Sequence, residues 1–496
     1  MSLRVEWRTS LSLVGTVLEG LTVPLVATAG VAVWYGEAVA PFLVAAALSL
    51  GVGLALERFE RGDLNVREAM LMVATTWLAV ALVGAVPLVL SGTGVFANPI
   101  NALFESMSGI TTTGATVIVD FSVHGQAVLL WRCLLQWLGG LGILVLAVAL
   151  LAQLAVGGAQ LMETETRTDD VTKLTPRIEE TARIIGGLYV ALTVVAAAIL
   201  FFLGLSGLAP RMTLYNAVAH AFTSIATAGF SPEADSIGAF APIAQWVIIP
   251  LMFVGATNFV ILYRLTQGDT RRLRNSEEFR VYVGVLLGAT ALVAGFLVVD
   301  DQFAGLEPVL RHALFQTTSI VTTTGYATVD FDLWSPGAKH LLFLAMFVGG
   351  MAGSTTCSLK TLRWLVVGKT LRRDLFTEIH PEAIRPIRLS GQVVDEGTVR
   401  DIHAYVLLSV LIFGLTTVFI VVDAARVGLA LSEFEGMGAA ASIFLNIGPA
   451  FGLAGPYGSY AAFPGSTKLA MTALMWIGRI EIFPVLVLLS PAFWRS

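Results

Sequence analysis

The chain is 496 residues long, 56% hydrophobic and only 13% charged, with a formal net charge of −5. Soluble domains carry about 25% charged residues, so the composition excludes a soluble globule and describes a chain that crosses a membrane many times. The two cysteines, Cys133 and Cys357, lie in apolar or glycine-rich surroundings with neither disulfide nor zinc spacing, and the dispersed basic residues give no surface for nucleic acid.

The first apolar run, Leu11 to Val33, is of spanning length, contains Glu19 and lacks a cleavage signature, so it reads as a retained helix. Further apolar runs follow near 38–56, 68–91, 127–155, 183–205, 241–265, 280–300, 338–366, 402–424 and 467–492, giving ten predicted spans. Four intervals between them, near 98–117, 212–231, 308–328 and 436–456, hold an apolar piece too short to cross, followed by Thr, Gly and Pro. With a cytoplasmic N-terminus, most of the 30 Lys and Arg fall inside, including the basic stretch Lys360 to Arg400. Arg211, Arg311, Lys339, Arg426 and Lys468 then lie outside, and Arg132 and Arg479 within spans. All four short pieces enter from the outer side.

Aligned on Gly114, Gly229, Gly325 and Gly448, the four pieces agree column by column. Six residues earlier stand Ser108, Thr223, Ser319 and Ser442; two earlier stand Thr112, Thr227, Thr323 and Asn446. The repeated unit is span, short helix, extended glycine strand, span, four times in one orientation. Irregular backbone at membrane depth survives only where it is buried in protein or lines water. Four such strands around one axis line water, and glycine permits the positive φ that points carbonyls at a central ion. The candidate ligand set is Thr112, Thr113 and Gly114; Thr227, Ala228 and Gly229; Thr323, Thr324 and Gly325; and Asn446, Ile447 and Gly448, mainly through backbone oxygens. Oxygen ligands without a carboxylate suit a monovalent cation, and the C-terminal dipole of each short helix favours a cation at the same place.

These strands resemble the TVGYG filter of potassium channels, and their fourfold covalent repetition resembles the Trk/Ktr/HKT superfamily of potassium transporters. The resemblance to the Trk-type translocating subunit (TrkH/TrkG) covers nearly the whole chain. It includes QWLGGLGILVLAVA (Gln136–Ala149), KLTPRIEETAR (Lys173–Arg183), FVGGMAGSTTCSLKTLR (Phe347–Arg363), NIGPAFGLAGP (Asn446–Pro456) and GRIEIFPVLVLLSPAFW (Gly478–Trp494). Glycine in all four filters, Gly114 included, implies preference for K⁺ as the transported ion, with no organic cofactor. Two departures stand out: Pro449-Ala450 replaces a Pro-Gly pair, and Thr356-Cys357-Ser358 interrupts a glycine run.

The resemblance implies an all-α polytopic membrane protein with four covalently linked repeats around one pore. The expected divisions are a two-helix extension at 1–60, repeats at 61–160, 161–268, 269–368 and 401–496, and a cytoplasmic basic segment at 369–400. It also implies a multi-pass protein of a prokaryotic plasma (inner) membrane with both termini cytoplasmic, a homodimer, and a cytosolic RCK/TrkA-type nucleotide-binding regulatory subunit. The basic segment is read either as docking for that subunit or as residues touching anionic headgroups.

Within 347–360, Gly349, Gly350, Gly353, Ser354, Thr355 and Thr356 break a predicted span, either as a small-residue packing face or, by resemblance, as a gating loop. Arg479, mid-span, costs about 2.5–3.5 kcal/mol unless partnered. It is read as half of a structural ion pair or, by resemblance, as a pore cation contacting that loop; Glu481, two residues on, faces elsewhere. Arg132 is expected to snorkel or to pack against the short helices. Asp120, Glu233, Asp235, Asp330 and Asp332 follow the first three filters and are either a cation-concentrating vestibule or ordinary loop acids.

An alternating-access transporter of another solute is the competing class, although such folds commonly use inverted repeats. No HExxH or GxGD is present and no histidines are spaced i, i+4, so no catalytic residues are assigned and the chain is not read as an enzyme.

Overall fold

The computed structural model describes residues 5–62, 64–146 and 178–494, and among these the chain is mostly helical. An N-terminal pair, α1 (Trp7–Tyr35) and α2 (Ala40–Glu57), packs on α3 (Val66–Ser91). Then come α4 (Pro99–Ile110), α5 (Gln126–Leu146), α6 (Ile178–Leu205), α7 (Leu214–Ile225), α8 (Pro242–Gly255), α9 (Phe259–Thr266) and the short α10 (Arg271–Asn275). The chain continues as α11 (Glu277–Val299), α12 (Leu306–Val321), α13 (Pro336–Ala345) and α14 (Thr361–Ile379). It closes with α15 (Glu396–Arg426), α16 (Glu433–Phe444), α17 (Gly465–Arg479), α18 (Phe483–Leu489) and α19 (Pro491–Trp494). A two-stranded antiparallel hairpin, Arg388–Leu389 with Gln392–Val393, lies between α14 and α15.

Seven described helices, α1, α2, α3, α5, α6, α11 and α15, are long and apolar enough to cross a bilayer unbroken. The other three predicted spans are bent. The pair α8 and α9 turns by 105° and the pair α17 and α18 by 117°, while α13 and α14 are separated by the non-helical residues 346–360. The α8–α9 break is built locally: the Asn258 side chain accepts hydrogen bonds from Val260 N and Ile261 N, capping α9. The α17–α18 break carries two successive left-handed residues, Glu481 (φ 62°) and Ile482 (φ 56°). The far end of the predicted span 127–155 lies outside the described residues.

The short helices α4, α7, α12 and α16 are the half-length pieces, and they are held by their neighbours in a cycle. Helix α5 packs on α7, α8 on α12, and α17 on both α16 and α4. One apolar cluster therefore joins the N-terminal helices to the last ones, with Phe104 and Met107 of α4 beside Tyr460, Met471 and Met475. Start and end of the chain meet around a common centre.

Candidate functional site

Each short helix ends in the same way. At the first, Thr112 N donates to Gly109 O at 2.9 Å and Thr113 N to Ser108 O at 2.9 Å. The second repeats this with Thr227 to Ser224 and Ala228 to Thr223, the third with Thr323 to Ile320 and Thr324 to Ser319, the fourth with Asn446 to Ile443 and Ile447 to Ser442. This is the double-bonded helix terminus whose turning residue is left-handed and normally glycine. Here that residue is Thr112 (φ 54°), Thr227 (φ 50°), Thr323 (φ 53°) or Asn446 (φ 54°). A β-branched residue there costs of order 1–3 kcal/mol, so three threonines are retained against local preference, keeping an oxygen where glycine would have none. The amino-acid sequence marks this column by its hydroxyl and amide side chains, but positive φ was expected at the glycines alone.

Two residues on, Gly114 (φ 78°), Gly229 (φ 83°), Gly325 (φ 80°) and Gly448 (φ 105°) are left-handed again. Alternating handedness swings successive carbonyls to one side of a strand, the geometry an ion-facing backbone requires. The four strands form a closed ring. A Cβ on Gly114 would collide with Ala228 O, on Gly229 with Thr324 O, on Gly325 with Ile447 O, and on Gly448 with Thr113 O at 2.6 Å. Every middle carbonyl thus abuts the glycine of the preceding strand, and all four glycines line one outward-opening cavity of about 220 Å³.

Behind the first strand, Glu105 and Arg132 form a fully buried ion pair at 2.6 Å. The Glu105 carboxylate also accepts from Thr116 Oγ1 (2.8 Å) and Val117 N (2.8 Å), and the Arg132 guanidinium lies 4.1 Å from the Phe230 ring centre. Arg132 therefore packs against a short helix and does not snorkel. Glu105 was overlooked, although a carboxylate inside a short apolar piece and a lone arginine in the next span each demand a partner.

Beneath the ring lies the loop 347–360. Gly349 N bonds Leu359 O (2.9 Å) and Thr361 N bonds Gly350 O (3.1 Å), closing the loop's neck. The α8–α9 break grips its interior, with Met351 N on Ala256 O (3.0 Å), Asn258 Nδ2 on Ala352 O (2.8 Å) and Phe259 N on Gly353 O (3.0 Å). Ser354 Oγ pairs with Thr356 Oγ1 at 2.8 Å within the loop. Thr355 Oγ1 meets Thr227 Oγ1 at 2.9 Å, and Cys357 N donates to Thr323 Oγ1 at 3.1 Å, so two of the four left-handed side chains are engaged from below. The other two oxygens, Thr112 Oγ1 and Asn446 Oδ1, are buried with no hydrogen-bond partner.

Arg479 is 1% exposed and ties this underside together. It donates to Thr355 O (2.9 Å), to Cys357 Sγ (2.8 Å) and, from its other terminal nitrogen, to Gly139 O on α5 (2.8 Å). Among the described residues it has no carboxylate within ion-pair distance. Glu481 pairs with Arg363 at 2.5 Å, and that guanidinium lies 3.9 Å from the Tyr405 ring centre.

The five outer acids divide. Glu233 lines the cavity and pairs with Arg211 at 2.8 Å. Asp120 and Asp330 cap short turns, accepting from Ser122 N and Asp332 N; the Ser122 hydroxyl and then its N–H hold the Asp120 carboxyl below its usual range. Asp332 accepts from Gly452 N at 3.0 Å and pairs with Lys339. Burial first, then Asp235 and Asp330, push the Tyr457 phenol at the mouth up to about 12. Arg211 and Lys339 thus offset two of the five charges, while the turn-capping carboxylate of Asp120 stays ionised.

Membrane-spanning helices, broken spans and irregular backbone gathered around one cavity define the class of multi-pass membrane transport proteins. The comparisons narrow the class. The chain matches the TrkH family profile, described as a cation transport protein, over residues 42–299 and 307–496. It is 35% identical over 463 residues to the Trk system potassium uptake protein TrkH of Halomonas elongata, covering 92% of each chain. It is 32% identical over 455 residues to TrkH of Escherichia coli K12, covering 90% of this chain and 91% of that one. The crystal structure of the potassium transporter TrkH from Vibrio parahaemolyticus superposes with a TM-score of 0.88 at 29% identity, covering 99% of this chain and 100% of that chain. The protein belongs to the TrkH family of multi-pass cation transporters and is not an enzyme.

Proposed function

We propose that this chain carries potassium ions inward across the plasma membrane of a prokaryote through the ring at Gly114, Gly229, Gly325 and Gly448. The observation that carries the reading is the cyclic contact of each middle carbonyl, Thr113, Ala228, Thr324 and Ile447, with the preceding strand's glycine. Four oxygens from one chain replace part of the water shell of a weakly hydrated monovalent cation, and the Thr112, Thr227, Thr323 and Asn446 side chains form the lower step. The names of the relatives above, potassium uptake proteins, support potassium as the ion.

Residues 347–360 and Arg479 are the closed gate in this reading. The loop occupies the underside of the ring, and a buried guanidinium held by Thr355 O and Gly139 O opposes a cation on the same axis. Opening requires the loop to release Thr227 and Thr323. The repeats divide at 61–160, 161–268, 269–368 and 401–496, after the two-helix extension 1–60, with both termini cytoplasmic. The basic segment 369–400 receives a cytosolic nucleotide-binding subunit of the RCK type, and two copies of the chain form the working homodimer.

The deciding experiment is growth rescue at low K⁺ in a bacterium lacking potassium uptake, with Gly114→Ser and Gly325→Ser as controls. Rescue by the unaltered chain and failure of both variants is expected. Rescue that ignores both substitutions removes the ring from the pathway.

A further inference from the structure

We propose that Gln136 is a positioning residue for ion preference, tethering one of the four ring carbonyls; the inference rests on the ring being the potassium filter. Gln136 is fully buried on α5, in the first repeat, yet both ends of its amide serve the second repeat's strand. Its Nε2 donates to Ala228 O at 2.5 Å and its Oε1 accepts from Phe230 N at 2.9 Å. The amide therefore brackets Gly229, and its orientation is set, because swapping the two ends would oppose oxygen to oxygen and N–H to N–H.

The same helix face reinforces this hold. Arg132 and Cys133 precede Gln136 by four and three positions, the spacing of one α-helical stripe. The Arg132 guanidinium covers Phe230 and reaches Ser231 O at 3.5 Å, and Cys133 Sγ approaches Phe230 O at 3.9 Å. The other middle carbonyls lack such a donor: among the described residues, none reaches Thr113 O, Thr324 O or Ile447 O. The filter thus has three carbonyls free to move and one whose direction is fixed from behind.

A fixed carbonyl limits how far the ring can contract. A smaller ion needs the oxygens drawn inward, and Ala228 O can follow only by giving up a buried hydrogen bond. The tether therefore penalises sodium and leaves the wider potassium geometry undisturbed. Releasing it lets the ring close on the smaller ion.

The test compares K⁺ and Na⁺ flux in proteoliposomes for the unaltered chain, Gln136→Leu and Gln136→Glu, at roughly pH 6 and pH 9, a range that brackets a buried glutamate. Gln136→Leu is expected to lower the K⁺ over Na⁺ preference about tenfold, the factor that ~1.4 kcal/mol represents, at both pH values. In Gln136→Glu the protonated acid still donates to Ala228 O and accepts from Phe230 N, whereas the ionised form faces that carbonyl with an oxygen. Its preference should approach that of the unaltered chain at the lower pH and fall at the higher, which a purely structural role would not produce. If Gln136→Leu does not fold, the isosteric glutamate variant decides alone. Unchanged preference at both pH values overturns the inference. Gly229→Ser, run alongside, separates the failures: if it too keeps normal preference, the filter reading falls; if it loses preference, only the tether is wrong.

Discussion

At the level of the four glycines, the strands behave alike. Each leaves a helix through the same double-bonded end, turns left-handed twice and meets its neighbour's carbonyl. A few ångströms below, the likeness stops. In three repeats a glycine of the second span packs against the last carbonyl of the short helix: Gly139 on Ile110 O, Gly255 on Ile225 O and Gly478 on Phe444 O. The residues that follow are Gly140, Ala256 and Arg479, so two repeats keep the position small and the fourth fills it with a guanidinium. The third repeat has instead broken its span into the loop that this guanidinium holds. Repetition in the backbone suits a spherical ion, whereas a gate must bias one side of an axis and therefore needs unequal side chains.

The sharpest way to break this comparison is at the ring. Gly229→Ser adds a Cβ that collides with Thr324 O at a residue already at φ 83°, so potassium-dependent growth should be lost; normal growth would mean the strand can yield, and the equivalence of the four repeats would have no functional weight. On the asymmetric side, Arg479→Ala frees Thr355 O, Cys357 Sγ and Gly139 O together. Ion flux should rise several-fold, and unchanged or lower flux in a normally inserted protein would assign Arg479 to structure alone.

Stability measurements sharpen the same contrast. Removing either member of the buried pair Glu105 and Arg132 leaves the other unpaired, a loss of about 3–5 kcal/mol, read as a lowered midpoint in detergent. The double substitution should cost less than the sum of the singles; strict additivity would show that the pair is not coupled. The smallest effect is expected at the N-terminus of α15. Asp395 caps α15 by accepting from Thr398 N at 3.0 Å, and the Thr398 hydroxyl followed by its N–H holds the Asp395 carboxyl below its usual value. A lowered native pKa makes this contribution complete above the unfolded carboxylate pKa and lost as pH falls through the native one. Asp395→Ala should therefore cost about 1 kcal/mol at neutral pH and progressively less in acid, with ion preference untouched.

How far the site was legible depended on the kind of signal. The columns at Ser108, Thr112 and Gly114 and their three equivalents could be aligned because each serves a backbone requirement repeated four times, and repetition raises a weak motif above chance. Among the described residues, apolar run lengths located the seven unbroken spans and the two bent pairs, since a bilayer demands length and hydropathy wherever a helix lies. The breaks at Ala256–Asn258 and Ile480–Ile482 were not foreseen, because neither contains proline: the first rests on an Asn258 cap inside an apolar run, and the second carries Glu481, whose partner Arg363 is remote in the chain. Gln136 gave no sign of its role; its amide acts on Ala228 and Phe230, more than ninety positions away.

By itself the amino-acid order determined that this is a multi-spanning helical membrane protein, that four short pieces interrupt it, and that glycine and hydroxyl residues recur there in register. These are consequences of hydropathy and local dihedral preference, which act within a few residues. Only the tertiary structure decided which carbonyl meets which glycine, that Glu481 answers Arg363 and not Arg479, and that the strand at Gly229 is held by Gln136 of α5. Those choices depend on how helices distant in sequence share a low-dielectric interior, where every buried polar group must find whichever partner the packing brings within reach.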